Sequence, residues 1–398
     1  MSAIMEITGH FVNQYSRLYP KWGAYYNGGT LFTTSSHEGG FHHMNQIRKN
    51  SIKGIFIITF LLCALAVTAS EEQGSPEMKA YLPSYRMSQL FRHDLNGNTA
   101  WYSMHPYALS PGASYTRDLP PDYSFSRGEK ILTHYNEILY FSLDMKGYPD
   151  ELLSSSQEGD LLYLQRLVQN SDSRLSLCIT GSSSDFIPVL REENRKDSLL
   201  KELNRIMERY SLSGLDLDWE FPRNDLEKEF YLIFLKDLRG LCDTKGAKLT
   251  IAVSRFRPLI PESYALADEI HLMSYDFYGR HSTKESTKEA LEYMAARYDI
   301  PYDKMLMGIP FYGRIFDGYS PDYWKKAQSY REIVYQNEVL PQDDEADGYY
   351  FNGMETVRRK AELGLNLGLN GFFVWEIGQD SFGRESLTHV LNTSIRAD

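Results

Sequence analysis

Three acidic side chains alternate with apolar ones in the segment Ser-Gly-Leu-Asp-Leu-Asp-Trp-Glu, which occupies residues 213–220. Because side chains two positions apart share one face of a strand, Asp216, Asp218 and Glu220 point the same way. Neighbouring carboxyl groups on that face lie roughly 7 Å apart, close enough for each negative charge to raise the pKa of the next. A row that keeps one acid protonated beside an ionised one is suited to general acid catalysis. The segment therefore predicts an acid catalyst.

The same alternation also occurs on the solvated faces of edge strands, where it has no catalytic meaning. An edge strand would have turn residues close by, whereas here a helical pattern precedes the segment and another follows it. The apolar positions of these patterns are Leu199, Leu200, Leu203, Ile206 and Met207 before the segment, and Phe230, Ile233, Phe234 and Leu238 after it. A strand between two helices is typical of a buried parallel sheet, which favours the functional interpretation.

The apolar pattern of the chain predicts a regular alternation of strands and helices. We expect strands at 78–82, 138–143, 175–180, 214–218, 248–253, 269–274, 305–309 and 371–375. We expect helices at about 158–169, 193–210, 224–243, 284–298 and 354–366, with weaker patterns near 87–92 and 328–337. Eight such units predict an α/β fold of the closed (β/α)8 TIM barrel type, which needs about 250 residues. An open doubly wound sheet is the alternative, but residues 81–85 lack the glycine-rich loop expected after its first strand.

Two long connections interrupt this alternation. Residues 93–130 are polar with several Pro and Gly, and we expect an ordered loop after the first strand. Residues 315–350 are rich in Tyr, Asp and Pro. Because the loops that follow strands form the active-site face of a barrel, we expect residues 315–350 to wall the cleft.

Charge and composition restrict the class of ligand. The formal net charge of −11 and the pI near 5.5 argue against nucleic acid, which requires a basic surface. The 29 tyrosines exceed the needs of a core of this size, and flat rings that also form hydrogen bonds suit sugar binding. The histidines and cysteines show no metal-binding spacing, so we expect neither a metal nor a cofactor.

The N-terminal region contains the features of a secretory signal in an unusual place. Basic residues precede the apolar run at 55–67, and small residues follow it, which is the order found in signal peptides. The run begins too late for a signal that starts at Met1, but a chain that starts at Met44 would carry an ordinary signal at 44–69. We therefore expect residues 1–43 to be untranslated or a disordered extension, 44–69 to be a signal peptide, and 70–398 to be the catalytic barrel. An uncleaved membrane anchor is the alternative.

The three cysteines do not form a disulfide framework. Cys63 would be removed with the signal, and the Leu61 and Leu62 before it are unlike the residues that precede a lipoprotein cysteine. We expect Cys178 on a buried strand and Cys242 on a helix, both as free thiols.

The segment at 213–220 resembles the D-G-x-D-x-D-x-E signature of glycoside hydrolase family 18, the chitinases and their relatives. Four further segments resemble motifs of this family in the same order along the chain: 80–85 its first strand, 273–276 its M-x-Y-D strand, 308–314 its seventh strand and 371–376 its eighth. The resemblance covers roughly residues 78–380 and implies a TIM barrel. Because the connection from Arg314 to the eighth strand is short, the α+β insertion found there in many family members is expected to be reduced or absent.

The resemblance also implies roles for individual residues. Glu220 would be the general acid, Asp218 would bind the acetamide N–H of the substrate, and Asp216 would share a proton with Asp218. Tyr275 would hold the acetamide from the other side, and Trp375 would form the apolar floor of the sugar site. The remaining residues that we expect in the substrate site are Met273, Asp276, Tyr81 and Arg314. For Arg314, a structural salt bridge is as good an interpretation as contact with the substrate.

The chain departs from the family pattern at three positions. Ser213 replaces the first Asp of the signature, which is chiefly structural in the family. Cys178 replaces the serine that would hydrogen-bond the central Asp, and a thiol is a much weaker donor. Ser182 stands where an aromatic sugar platform is common. We expect little catalytic loss from Ser213. We expect Cys178 and Ser182 to alter pH dependence or weaken binding on the leaving-group side without removing the chemistry.

The function implied by the resemblance is hydrolysis of β-1,4 bonds between N-acetylglucosamine units by a secreted chitinase, extracellular or periplasmic. An endo-β-N-acetylglucosaminidase or a peptidoglycan hydrolase is the alternative within the enzyme class, and a non-catalytic chitin-binding lectin is the alternative outside it. We expect a monomer with a carbohydrate substrate, no nucleic acid partner and no stable membrane insertion. With a short insertion and no apparent chitin-binding module, soluble oligomers are expected to be better substrates than crystalline polymer.

The processing hypothesis can be tested on protein recovered from the medium of expressing cells. We expect its N-terminus near Ser70, because the small residues that end the signal lie just before it. N-terminal sequencing and intact-mass measurement check this, and an N-terminus upstream of Met44 contradicts it.

Overall fold

The computed structural model describes residues 23–27, 30–34, 75–90, 132–148, 152–315, 327–381 and 385–396. The chain divides into two units, Met1–Gln73 and Gly74–Asp398. In the first unit, Gly23–Asn27 and Thr30–Thr34 pair as antiparallel strands, with Tyr25 opposite Phe32. The predicted signal at 44–69 and the predicted loop at 93–130 lie outside the described residues.

The second unit is built on a closed barrel of eight parallel strands, as the sequence predicted. We number the barrel strands β1 Glu77–Pro83, β2 Glu137–Asp144, β3 Arg174–Gly181, β4 Gly214–Trp219, β5 Lys248–Val253, β6 Glu269–Leu272, β7 Met305–Pro310 and β8 Gly371–Trp375. Each strand pairs with the next one along the chain, and β8 pairs with both β7 and β1, which closes the barrel.

Helices connect successive strands, as expected for this architecture. They are α1 Ser84–Leu90, α2 Ser155–Val168, α3 Ser183–Leu190, α4 Glu193–Tyr210, α5 Asp225–Lys245, α6 Pro261–Leu266, α7 Lys284–Tyr298, α8 Tyr330–Gln336, α9 Met354–Leu367 and α10 Leu387–Ile395. The predicted helices are all present within a few residues, whereas α3, α6 and α10 were not predicted. These three are short, and prolines at Pro188 and Pro261 obscure the helical pattern of the first two.

The alternation in β4 separates the barrel interior from the helical layer. All six residues of this strand are buried. On the outward face, the Trp219 ring stacks on Phe186 of α3 at 4.3 Å between centroids and lies 5.6 Å from Tyr231 of α5. Asp216 and Asp218 alternate with these apolar residues and therefore point into the barrel. The acids lie where the sequence predicted, on a central parallel strand rather than a solvated edge.

The connection between β7 and β8 contains a small antiparallel sheet. Its strands are ordered Ala327–Ser329, Tyr312–Ile315, Tyr349–Tyr350 and Glu345–Ala346, and α8 follows the first of these. The described part of residues 315–350 is therefore a reduced α+β insertion. The sequence predicted a reduced or absent insertion. The helix predicted near 328–337 is present as α8, whereas the short strands were not predicted.

The described helices do not include one that is long and apolar enough to cross a membrane. Cys178 on β3 and Cys242 on α5 are both buried and free, as predicted.

Closure of the barrel depends on the absence of a side chain at Gly371. A Cβ atom at this position would lie 2.0 Å from the backbone oxygen of Glu77, with which it pairs across β8 and β1. Backbone atoms of a central strand pair cannot move aside without breaking the hydrogen-bonded ladder. We therefore predict that Gly371→Ala lowers the free energy of unfolding by about 3 kcal/mol, measured by urea denaturation followed by circular dichroism.

Gly240→Ala is the matched control. Gly240 is exposed in α5, and a Cβ atom there would contact nothing within 4 Å. Because alanine favours helix, this variant is expected to gain about 0.5–1 kcal/mol. Equal urea midpoints for the two variants would show that the close approach of the Glu77 backbone to Gly371 does not limit stability.

Candidate active site

A cavity of about 450 Å³ opens at the carboxyl ends of the barrel strands, where active sites of this fold lie. Most of the predicted site residues line this cavity: Tyr81, Asp218, Glu220, Met273, Tyr275, Asp276, Arg314 and Trp375. Asp216 is the exception, because it lies one step deeper on β4 and is fully buried. The cavity is therefore the candidate active site.

Asp216 is held by hydrogen bonds from three neighbouring side chains. The Tyr81 hydroxyl donates to Asp216 Oδ2 at 2.8 Å, and the Thr250 hydroxyl donates to Asp216 Oδ1. His271 Nδ1 lies 3.3 Å from Asp216 Oδ1. Burial opposes ionisation here, but the hydrogen bonds of these neighbours, His271 first, outweigh it and lower the pKa of Asp216. Asp216 is therefore an anion.

Asp218 is also buried, but its surroundings favour the neutral acid. The Thr180 hydroxyl donates to the backbone oxygen of Asp218 at 3.0 Å and approaches its Oδ2 at 3.4 Å. Among the described residues, Asp218 Oδ1 has no hydrogen-bond partner. Burial, then the negative charges of Glu220 and Asp216, raise the pKa of Asp218 well above its ordinary value. The Asp218 carboxyl group thus keeps its proton and has one oxygen available to a ligand.

Glu220 follows the last residue of β4, and its side chain is exposed in the cleft. Its backbone N–H donates to Gly181 at 3.0 Å, which fixes the start of the loop. Desolvation by the walls of the cleft, followed by the charge of Asp276, raises the pKa of Glu220. A carboxyl group that is accessible to a ligand and holds its proton above the usual pH is suited to donate that proton.

Aromatic side chains form the apolar part of the cavity. The Trp375 ring lies 4.8 Å from Phe141 and 5.5 Å from Tyr81, centroid to centroid. On the other side, Tyr275 packs against Phe373 at 6.2 Å. Gly308 makes room for this ring, because a Cβ atom there would lie 2.8 Å from Tyr275 Cε1. The rings of Trp375 and Tyr275 thus line the same cavity as Asp218 and Glu220.

Asp276 is fixed by an ion pair with Arg314. The guanidinium binds both carboxylate oxygens, with Nη2 2.7 Å from Oδ2 and Nε donating to Oδ1. The Tyr312 hydroxyl donates to Asp276 Oδ1 at 2.6 Å. The backbone of Asp276 has a φ of 61°, which directs this residue away from the path of β6. Of the two interpretations of Arg314, the salt bridge is present, and the side chain also lines the cavity.

The three residues that depart from the family pattern each have defined contacts in the structure. Cys178 pairs in register with Asp216 across β3 and β4, and burial, followed by the charge of Asp216, raises the pKa of its thiol. Ser182 is the N-cap residue that precedes α3, and it forms a capping box with Asp185. Ser213 contributes backbone hydrogen bonds to the strands on either side, to Leu175 and Lys248.

Sequence reasoning missed several side chains that contact the site, and His271 is the most important. It lies on β6, two residues before Met273 and four before Tyr275, so it shares their inward face. That spacing could have identified it. Thr250, Tyr312, Thr180, Phe141 and Gln379 also contribute, but a lone hydroxyl, amide or ring carries no comparable signal in the sequence.

The arrangement combines one anion, one buried neutral acid and one exposed acid along a single strand. Aromatic rings line the same cavity. These groups can protonate a leaving oxygen, stabilise positive charge beside it and hold a flat ligand such as a sugar ring.

Among the curated proteins to which this chain is similar are chitinases. Endochitinase 1 of Metarhizium robertsii is 24% identical over 327 residues, which is 67% of this chain and 76% of that protein. Probable chitinase 2 of Drosophila melanogaster is 27% identical over 169 residues, 36% of this chain and 35% of its own length. The chain thus spans about a third of the length of the latter relative.

Solved structures share the barrel at low sequence identity. A plant class V chitinase mutant from Cycas revoluta in complex with (GlcNAc)3 has a TM-score of 0.61 and 16% identity, covering 80% of this chain and 99% of that one. A chitinase-like agglutinin from Robinia pseudoacacia has a TM-score of 0.54 and 21% identity, covering 66% and 94%. At such identities the likeness shows the fold alone.

The family model of the glycosyl hydrolases family 18 matches residues 121–380, more than half of the chain. This span contains every predicted site residue except Tyr81, which lies upstream on β1. The chain belongs to glycosyl hydrolases family 18.

Proposed function

We propose that this protein is a retaining glycosidase that cleaves β-1,4 bonds between N-acetylglucosamine units, with Glu220 as the general acid. The proposal includes secretion after removal of a signal at 44–69. Family membership supports the reaction class, and the curated relatives named above are described as chitinases. The single observation that carries the proposal is the graded environment of the three acids on β4.

Each acid of this series has a different accessibility and charge. Asp216 is buried and anionic, and Asp218 is buried with a raised pKa. Glu220 is exposed in the cleft and also has a raised pKa. Family 18 enzymes use a single protein acid and recruit the substrate as nucleophile, so one exposed acid with an inner pair of carboxyl groups fits this mechanism.

In the proposed reaction, Glu220 protonates the glycosidic oxygen as the bond from that oxygen to the anomeric carbon breaks. The acetamide oxygen of the sugar that contains this anomeric carbon attacks the carbon from the face opposite the leaving oxygen and forms an oxazolinium ion. Water then attacks the anomeric carbon, Glu220 accepts its proton, and the oxazolinium ring opens. Two displacements on opposite faces leave the configuration unchanged.

The inner residues would orient the acetamide. Asp218 Oδ1, which has no hydrogen-bond partner among the described residues, is available to accept the acetamide N–H. Tyr275 lies beside the carboxyl groups, and burial keeps its phenol protonated by raising the pKa of Tyr275 well above its ordinary value. It can therefore donate to the acetamide oxygen. Trp375 would lie against the apolar face of the sugar ring.

The Asp276–Arg314 pair would form the wall of the subsite rather than take part in proton transfer. The carboxylate of Asp276 is already occupied by Arg314 and Tyr312, which limits its freedom to move. Its negative charge contributes to the raised pKa of Glu220. The pair therefore helps to keep the acid protonated until a substrate arrives.

The cleft is compatible with soluble oligomers as substrates. Within the described residues, the insertion after β7 consists of short strands and one helix, and we infer that it forms a low wall. A low wall gives few contacts to distant sugar units, so we propose short chitooligosaccharides rather than crystalline chitin.

A non-catalytic lectin is the second candidate, because an agglutinin shares this fold. The position and protonation of Glu220 favour the enzyme, since sugar binding alone does not need an exposed acid in the cleft. An endo-β-N-acetylglucosaminidase or peptidoglycan hydrolase is a further candidate, because the mechanism requires only an acetamido sugar beside the cleaved bond.

Replacement of the acid gives a direct test. We predict that Glu220→Gln lowers kcat on chitotetraose by about 10³-fold and leaves KM nearly unchanged, because it removes the proton donor but keeps the shape. Product release is measured by chromatography, and folding is checked by circular dichroism.

Glu229→Gln on the exposed face of α5 is the control for the loss of one negative charge. It is expected to retain the parent rate. A Glu220→Gln variant with the parent kcat would reject the assignment of the acid, and binding without hydrolysis by the parent protein would favour the lectin.

The substrate-assisted step predicts both specificity and stereochemistry. We expect hydrolysis of chitotetraose with the β-anomer as first product, and no hydrolysis of cellotetraose, which lacks the acetamide group. Proton NMR of the anomeric signals in the first minutes of reaction measures the outcome. Initial α-anomer or cleavage of cellotetraose contradicts the mechanism, and activity confined to a high-mannose glycoprotein indicates the endo-β-N-acetylglucosaminidase.

A further inference from the structure

Charged side chains fill the barrel interior beneath Asp216, where branched apolar residues usually pack. Lys79 is fully buried and lies 2.7 Å from Glu137 Oε2, and it also forms an ion pair with Glu269. Lys248, whose side chain is partly exposed, lies with its Nζ 2.5 Å from Glu269 Oε1. We refer to Lys79, Glu137, Lys248 and Glu269 as the ion cluster. It comes from β1, β2, β5 and β6 and so links strands around the barrel.

His271 lies between the ion cluster and Asp216. Its Nδ1 atom is 2.9 Å from the Tyr81 hydroxyl and 3.3 Å from Asp216 Oδ1. Its Nε2 atom is 3.8 Å from Glu269 Oε2, longer than a hydrogen bond but within reach of an ion pair. The ring is fully buried and stacks on Phe373 at 5.2 Å between centroids. The imidazole thus bridges two carboxylates in the interior.

Hydrogen-bond direction determines which ring nitrogens carry protons. Tyr81 donates its hydroxyl hydrogen to Asp216, so its oxygen can only accept from His271 Nδ1. His271 Nδ1 must therefore carry a hydrogen. The opposite nitrogen faces the Glu269 carboxylate, and among the described residues no donor reaches it. A ring with an acceptor oxygen beside Nδ1 and a carboxylate at ion-pair distance from Nε2 is stabilised as the imidazolium, with both nitrogens protonated.

We propose that His271 is a positioning residue of the active site: a buried imidazolium ion that joins Asp216 to the ion cluster and keeps Asp216 ionised during the reaction. This inference rests on the proposed function of the β4 acids and extends it to a residue that does not touch the substrate. An ionised Asp216 leaves the shared proton on Asp218, where burial and the negative charge of Asp216 hold it.

Charged and titratable groups surround His271 from several strands. They are Asp216 on β4, Tyr81 and Lys79 on β1 and Glu269 on β6, with Glu137 on β2, Cys178 on β3 and Lys248 on β5 behind them. Burial and the charge of Lys79 oppose the cation, and the two carboxylates favour it. The net effect is a raised pKa of His271, because both carboxylates are close and the imidazolium lies between them.

The protonation state can be observed directly in the intact protein. In protein labelled with ¹⁵N-histidine, we expect both ring nitrogens of His271 to show imidazolium shifts at pH 7.5, about one unit above the usual pKa of histidine. Contacts with the Phe373 ring assign the signal, so the measurement does not depend on a variant that folds. A neutral ring at pH 7.5 overturns the proposal whatever the activity of the enzyme.

The kinetic consequence is tested with H271N, which removes the positive charge and keeps a hydrogen-bond donor. Loss of a nearby cation raises the pKa values of neighbouring acids. Both the acidic and the basic limb of the pH profile of kcat/KM on chitotetraose should therefore move to higher pH by about one unit. We expect kcat to fall at the parent optimum with little change in KM. A profile that coincides with that of the parent overturns the proposal.

T250V provides the matched comparison, because Thr250 donates to the same carboxylate without carrying a charge. We expect T250V to shift the limbs by less than half as much as H271N. Equal shifts would show that hydrogen bonding rather than charge is responsible, and would also overturn the proposal. If the parent protein hydrolyses no acetamido sugar, the proposed function fails while the NMR result still decides the state of His271.

Discussion

The buried negative charge of Asp216 is the constraint on which the active site depends. Transfer of a carboxylate from water to a protein interior costs several kcal/mol unless charged or hydrogen-bonding partners replace the water. At Asp216 these partners are Tyr81, Thr250 and His271, which lie on β1, β5 and β6. None of them is close to Asp216 along the chain. The carboxylate is therefore compensated only when the barrel is closed, which couples the chemistry to the fold.

One strand produces three different acids because depth in a barrel changes with every second residue. Asp216 lies deepest, among donors, and is an anion. Asp218 is one step higher, where the nearest charges are negative and burial is still complete, so its pKa rises well above the ordinary value. Glu220 is one step higher again and meets the solvent of the cleft. The period of two residues that identifies a strand in the sequence thus also orders the carboxyl groups by accessibility.

The sequence predicted the barrel and the site motifs well, because both depend on local patterns. Period-two alternation between helical segments located β4, and the residues of the family motifs lie around one cavity. The ion cluster was not predicted, since Lys79 and Glu269 are 190 positions apart and only closure of the barrel brings them together. The strands after β7 were missed for another reason: segments of two residues, such as Glu345–Ala346, have no period to detect.

The ion cluster is difficult to explain by stability alone. Replacement of a whole buried ion group by well-packed apolar side chains is often neutral or stabilising, so a barrel that needed only stability could use apolar residues here. Removal of a single member is different, because loss of Lys79 would leave the buried Glu137 facing the partly exposed Arg174 and Glu269 facing Lys248, and breaking a buried ion pair by removing one partner is strongly destabilising. The same anion, Glu269, faces the imidazole that contacts Asp216. The charges below the site and the protonation of the acids within it therefore cannot be varied independently. This shared dependence is a functional reason for keeping ions in the core.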